Sequence, residues 1–117
     1  MELYDELQQL IRELDTSIKS LRTTGTAYAE AEKNYKIILR QEVLKLRDEK
    51  VAIGIIDKSC YGIPSVAEAR FKRDVALTVY EANKDSIQAT KLKIKLVENQ
   101  LQREYGSYQW KNIHHQS

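Results

Sequence analysis

The side chains able to do covalent or metal chemistry are few, and their spacing decides what they can do. His114 and His115 are the two histidines of the chain, and they are adjacent. Neighbours on a helix diverge by about 100°, so the pair does not present two imidazoles to one metal ion. Cys60 is the single thiol and has no histidine in the patterned part of the chain to take its proton, so it reads as a small hydrophobe rather than a nucleophile. Glu30 and Glu32 stand two apart and diverge, Asp48 and Glu49 are adjacent, and no Glu-x-x-His pair occurs to build a di-metal site in a bundle. Glycine patterns that cradle phosphates or dinucleotides do not occur either. The expectation is a protein that is not an enzyme, with no catalytic residue, metal ligand or cofactor, acting by contact.

Charge offers a second chemistry. At about 100° per residue, Arg73, Lys84, Lys91 and Lys95 fall within about 40° of one another, a basic ridge of the kind that meets phosphates. Leu77 and Glu98 border or interrupt it, and no aromatic residue is interleaved to stack on bases, so nucleic-acid binding stands second to protein contact. The formal charge of +2 falls short of the balance expected of a dedicated DNA-binding domain. It conceals a gradient: residues 1–24 carry three basic and five acidic groups, whereas residues 63–117 carry nine and six. Opposite ends of opposite sign suit antiparallel or head-to-tail packing between chains.

The elements that position these residues are helical. Leu3, Leu7, Leu10, Leu14, Ile18, Leu21, Gly25, Tyr28, Tyr35, Leu39, Val43 and Leu46 form one apolar stripe. Leu3, Leu21 and Leu39 are 18 residues apart, five whole turns at about 3.6 residues per turn. An unbroken helix of about 50 residues, roughly 75 Å long, follows from that phase. Thr23-Thr24-Gly25-Thr26 allows a bend or break, but Gly25 lies on the stripe, where a missing side chain admits a close neighbour.

From Val51 to Pro64 the helical period is lost, and two glycines, a proline and a β-branched run mark a connection. It is apolar for a loop. Ile53, Ile55, Ile56, Tyr61 and Ile63 either cap a bundle or form a contact surface, and Ile55, Ile56, Tyr61 and Ile63 are the candidate partner-contact residues. Ser65 with Glu68 reads as a capping box opening a second helix that runs from about residue 65 to Tyr105 and stops at Gly106. Tyr80, Ile87, Ile94 and Leu101 form its heptad stripe. Phe71, Val75, Val79, Ala82, Ala89 and Leu96 form a second beside it, so the helix calls for two neighbours, one from another chain.

Charged residues make up 31% of the 117, and glycine and proline total five, a profile close to the long-helix extreme. A lone cysteine and an acidic N-terminus point to the cytosol, and no apolar run is long enough to span a bilayer.

Two stretches add a resemblance: Ala27-Tyr28-Ala29-Glu30-Ala31-Glu32-Lys33-Asn34-Tyr35-Lys36 leading to Leu44-Lys45-Leu46-Arg47-Asp48-Glu49, and Ala69-Arg70-Phe71-Lys72-Arg73-Asp74-Val75-Ala76 leading to Gln102-Arg103-Glu104-Tyr105-Gly106. Over residues 20–106 the chain resembles small helical proteins encoded in the early regions of phages and prophages of Gram-positive bacteria. Tyr105 departs from the tryptophan more usual before the glycine of that pattern. The resemblance implies an intracellular phage protein encoded near replication and recombination genes, and it transfers no mechanism.

The expected architecture is all-α: a long antiparallel, coiled-coil-like helical hairpin, with a possible bend or break at Gly25, self-associating into a dimer or higher oligomer. Its single domain spans residues 1–106 (helix about 2–51, apolar loop 52–64, helix about 65–105), followed by a frayed tail at 107–117 in which Tyr108 and Trp110 are available to dock. The expected role is contact with a host or phage protein, as a replication or recombination accessory factor or an inhibitor of a host defence protein.

Overall fold

The protein, seen as a computed structural model, is nearly all helical, with no strand among the described residues. The backbone is described for residues 2–115 and the side chains for residues 2–106, so expectations for the side chains of Tyr108, Trp110, His114 and His115 lie outside the described residues. Helix α1 spans Glu2–Asp48, α2 Ile53–Ser59, a 3-10 turn Cys60–Gly62, and α3 Pro64–His115. The chain divides into two compact units, one built from the chain up to Ser20 and from Asn83 onward, the other from Leu21–Ala82.

Helix α1 passes through Gly25 without interruption. Glu2 and Asp5 in its first turn and Lys45 and Arg47 in its last complement the helix dipole. The threonines do not stop it, and the Thr24 hydroxyl donates to the Leu21 carbonyl at 3.2 Å, within the helix's own turn. Gly25 is used for space rather than for backbone freedom. A Cβ there would lie 3.2 Å from Cε1 of Tyr80, so the missing side chain is what admits the ring.

The turn that ends α1 is made by a lysine. Lys50 sits at φ 61°, its amide donates to the Arg47 carbonyl at 2.9 Å, and the Val51 amide donates to the Leu46 carbonyl at 3.0 Å. This is the paired bonding of a Schellman cap, which glycine usually completes because a left-handed residue with a Cβ is strained by about 1–2 kcal/mol. No glycine among the described residues has a positive φ, so Gly54 and Gly62 do not supply the turns expected of them. Lys50→Gly is therefore expected to raise stability by about 0.5–1 kcal/mol, the relief of strain outweighing the added chain entropy. Urea denaturation followed by circular dichroism checks the sign.

The expected apolar loop at 52–64 is instead the short helix α2 and the 3-10 turn. Ile56 and Cys60, each 3% exposed, are its inward residues, one helical turn apart. Helix α3 also opens differently from the capping-box expectation. Ile63, extended at φ −67° and ψ 129°, holds the cap position, and its carbonyl accepts the Ala67 amide at 2.9 Å. Pro64 then takes the first helical position, where its fixed φ fits and its missing N–H costs nothing. Ser65 lies inside the helix, its hydroxyl 3.4 Å from a carboxylate oxygen of Glu42. At the other end α3 continues through Gly106 to His115, because glycine lowers helix propensity without ending a helix unless it turns left-handed.

Burial in each unit advances in alternating steps of three and four. In the unit of Leu21–Ala82, α1 turns inward at Leu21, Thr24, Tyr28, Ala31, Tyr35, Ile38 and Glu42, and α3 at Val66, Ala69, Arg73, Ala76 and Tyr80. Tyr35, Val66 and Ala69 form its buried cluster, with Ile38, Leu39 and Ile63 packed against it. In the other unit the inward residues are Leu3, Leu7, Leu10, Leu14 and Ser17 on α1, and Asn83, Ile87, Thr90, Ile94, Val97 and Leu101 on α3. There the Asn83 side-chain amide donates to the Ser17 carbonyl at 3.0 Å.

This step averages 3.5 residues, and of the expected α1 stripe every residue but Ile18 is buried or half-buried. Ile18 is 48% exposed because Ser17 holds the inward position. On α3 the stripe of Tyr80, Ile87, Ile94 and Leu101 is turned inward, whereas Phe71, Val75, Val79 and Leu96 are 46–63% exposed. The second stripe, expected to meet a helix of another chain, is exposed on the single chain.

Candidate functional site

The unit of Leu21–Ala82 holds a polar cluster inside its packed face. The Tyr28 hydroxyl donates to Glu32 at 2.9 Å, and the Tyr28 ring stacks on that of Tyr80 with centroids 6.1 Å apart and planes 16° from parallel. The Arg73 guanidinium lies 4.4 Å from the centroid of the Tyr35 ring and donates through Nε and Nη2 to one oxygen of Asp74, at 3.0 and 2.8 Å. Arg73 thus fills an inward position with an aliphatic stem and a flat cation satisfied on one face by an aromatic ring and along its edge by a carboxylate. The hydrogen bond to Asp74 raises its already high pKa and keeps it charged.

The Tyr28 hydroxyl is held above the ordinary tyrosine range, chiefly by its hydrogen bond to Glu32, then by desolvation and by the Glu32 charge. A raised phenol contributes stability that is fully present below the unfolded tyrosine value and is lost as pH rises through the folded value. In the difference between the alkaline absorbance titrations of the wild type and Tyr28→Phe, the missing tyrosine is expected to ionise above the ordinary range. Glu32→Gln is expected to bring it back toward that range. A Tyr28 titration unmoved by Glu32→Gln would show that the bond does not form in solution.

The expected basic ridge divides between the two units. Arg73 is withdrawn from it, its side chain 22% exposed and committed to Tyr35 and Asp74. Lys84, Lys91 and Lys95 are exposed on α3 in the other unit, which contains eight basic and eight acidic residues and so has no net charge to attract a polyanion.

The four candidate contact residues of the connector also divide. Ile56 is buried and Ile63 packs against the cluster of Tyr35, Val66 and Ala69, so both belong to the interior. Ile55 is 56% and Tyr61 47% exposed, and the Arg70 guanidinium lies 5.7 Å from the Tyr61 ring centroid. Ile53, beside them in sequence, is 74% exposed.

A face of α1 that the sequence reading passed over is distinctive. Arg22, Lys33, Lys36, Arg40 and Arg47 are all exposed, as are Ile37 and Leu44, 47% and 44% respectively. An open groove runs along it, lined by Ala29, Lys33, Lys36, Ile37 and Arg40, and by Tyr28 with its hydrogen-bond acceptor Glu32. Its signal in the sequence is the heptad repeat Lys33, Arg40, Arg47.

Among the described residues no three His, Cys, Asp or Glu side chains converge as a metal site, and no helix is long and apolar enough to cross a membrane. No known protein family, curated protein or solved structure matches the chain.

Proposed function

We propose that the protein is a non-enzymatic interaction module that works through helix-to-helix contacts, with a second copy of itself and with another protein. The observation that carries this reading is the periodic exposure of large apolar side chains, above all Phe71, Val75 and Val79 on one face of α3 at 63%, 46% and 50%. Single exposed hydrophobes are ordinary, but a row at steps of four is the pattern a covering helix buries. The alternating three and four of the inward residues supports antiparallel, coiled-coil-like pairing of α1 with α3 within each unit. So do the pairings of Gly25 with Tyr80, Tyr35 with Arg73 and Glu42 with Ser65, whose numbers rise on one helix as they fall on the other. The assignment to a phage, as an accessory factor of replication or recombination or an inhibitor of a host defence protein, rests on the resemblance over residues 20–106. The exposed Ile55 and Tyr61 of the connector remain a second contact point in this reading.

Sedimentation equilibrium at micromolar concentration tests self-association. The expected result is a dimer or larger species, reduced toward the 13.6 kDa monomer by Phe71→Ser with Val75→Ser at undiminished helicity. A wild-type chain that stays folded and monomeric throughout overturns this part of the reading.

A further inference from the structure

We infer that the exposed cationic face of α1 between Arg22 and Arg47 is a docking surface for an acidic amphipathic helix of a partner protein, an inference that rests on the reading of this chain as a helix-contact module. Three observations meet on that face, all within the unit of Leu21–Ala82.

The first is charge. At about 100° per residue, Arg22, Lys33, Lys36, Arg40 and Arg47 fall within about 60° of one another, in a row about 38 Å long. Extended to include Ile37 and Leu44, the arc is about 100° wide and holds no Asp or Glu over residues 22–47. Arg22, Lys33, Arg40 and Arg47 form no ion pair among the described residues, and Lys36 reaches Glu32 only at 3.7 Å. Four of the five cations are therefore left for an outside anion.

The second is apolar shape. Ile37 and Leu44 stand in the same arc, and the groove beside Ile37 is lined by Ala29, Lys33, Lys36 and Arg40, and by Glu32, which accepts the Tyr28 hydroxyl and lies about 40° outside the arc. The third is period. Ile37 and Leu44 are seven residues apart, as are Lys33, Arg40 and Arg47. Equal spacing of an apolar row and its charged flank is what a second helix packed at a shallow angle reads, with apolar residues meeting apolar ones and opposite charges meeting at the rim.

A nucleic-acid strand matches only the first observation, since a phosphate backbone has nothing to place in the groove beside Ile37 and the one aromatic ring at its edge, Tyr28, is stacked on Tyr80. The chain's own acidic segment does not match either. Glu2, Glu6 and Glu13 share their face of α1 with Gln9, Thr16 and Ser20, which offer no apolar row.

The test measures binding of the full chain to labelled four-heptad synthetic peptides by fluorescence anisotropy. One peptide has a leucine core and glutamate flanks, one a serine core and glutamate flanks, and one a leucine core and lysine flanks. A single-stranded oligonucleotide is the fourth probe. The leucine–glutamate peptide is expected to bind at least about tenfold more tightly than each of the other three. Ile37→Ser is expected to weaken it by about tenfold or more at unchanged helicity, and Lys33→Glu with Arg40→Glu to shift the preference to the lysine-flanked peptide. Tighter binding of the oligonucleotide, equal binding of glutamate- and lysine-flanked peptides, or no binding of the leucine–glutamate peptide at millimolar concentration overturns the inference. Self-association that persists alongside such a failure leaves the contact reading standing, whereas peptide binding by a strictly monomeric chain removes self-association and keeps the docking face.

Discussion

Tyr35→Ala is expected to lower the free energy of unfolding by about 3–5 kcal/mol, the range for truncating a buried aromatic to alanine. Tyr35 is 7% exposed and packs with Val66, which is fully buried, and Ala69, with Ile38, Leu39 and Ile63 around them. Ala69 is too small to close over the space the ring would leave, so the cavity term adds to the lost transfer free energy. The ring also supports the Arg73 guanidinium at 4.4 Å, and without it a half-buried cation faces a void. Tyr35→Phe keeps the ring and its stack on Arg73, so it is expected to cost about 1 kcal/mol or less. Urea unfolding of both variants, followed at 222 nm by circular dichroism, measures the pair. A Tyr35→Ala loss below about 1 kcal/mol would mean that this cluster is not the core of its unit.

Ile87→Ala is the counterpart in the other unit, with an expected cost of about 2–5 kcal/mol. Ile87 is 6% exposed, and Leu10, Thr90 and Val97 of the same unit are buried to a similar degree. The informative control is Leu96→Ala. Leu96 is apolar and on the same helix, yet 60% exposed, so its truncation is expected to change monomer stability by about 0.5 kcal/mol or less. Equal losses for the two variants would show that Leu96 is buried in solution, and concentration dependence of the melting temperature would attribute that burial to a second copy.

Much of the helical architecture was legible because a long helix declares itself through period and composition. The phase of Leu3, Leu21 and Leu39 carried α1 through Gly25, and the small residue on the stripe signalled the close approach that the Tyr80 ring makes. The heptad of Tyr80, Ile87, Ile94 and Leu101 identified the inward face of α3. The other inward row of that helix, Ala69, Ala76, Asn83, Thr90 and Val97, was hidden because its residues are small or polar and an apolar search skips them. Phe71, Val75 and Val79, expected to meet a helix of another chain, are exposed on this one. Lys50 was missed for a related reason. The left-handed turn was assigned to glycines, and the lysine adopts it only because the paired hydrogen bonds of the cap compensate the strain.

By itself, then, the sequence determined that this protein is helical and that its first long helix runs unbroken through Gly25 to the connector. Those properties follow from local propensity and from spacing along one chain. Which apolar row turns inward, whether Arg73 is a surface cation or a stacked interior one, and that Ile56 and Ile63 serve the core while Ile55 and Tyr61 do not were decided by the tertiary structure. The physical reason is that a helix carries its side chains all the way round. Only the packing of another segment against one arc, in steps averaging 3.5 residues, selects the side chains that lose water and leaves a face such as Lys33, Ile37, Arg40 and Leu44 exposed.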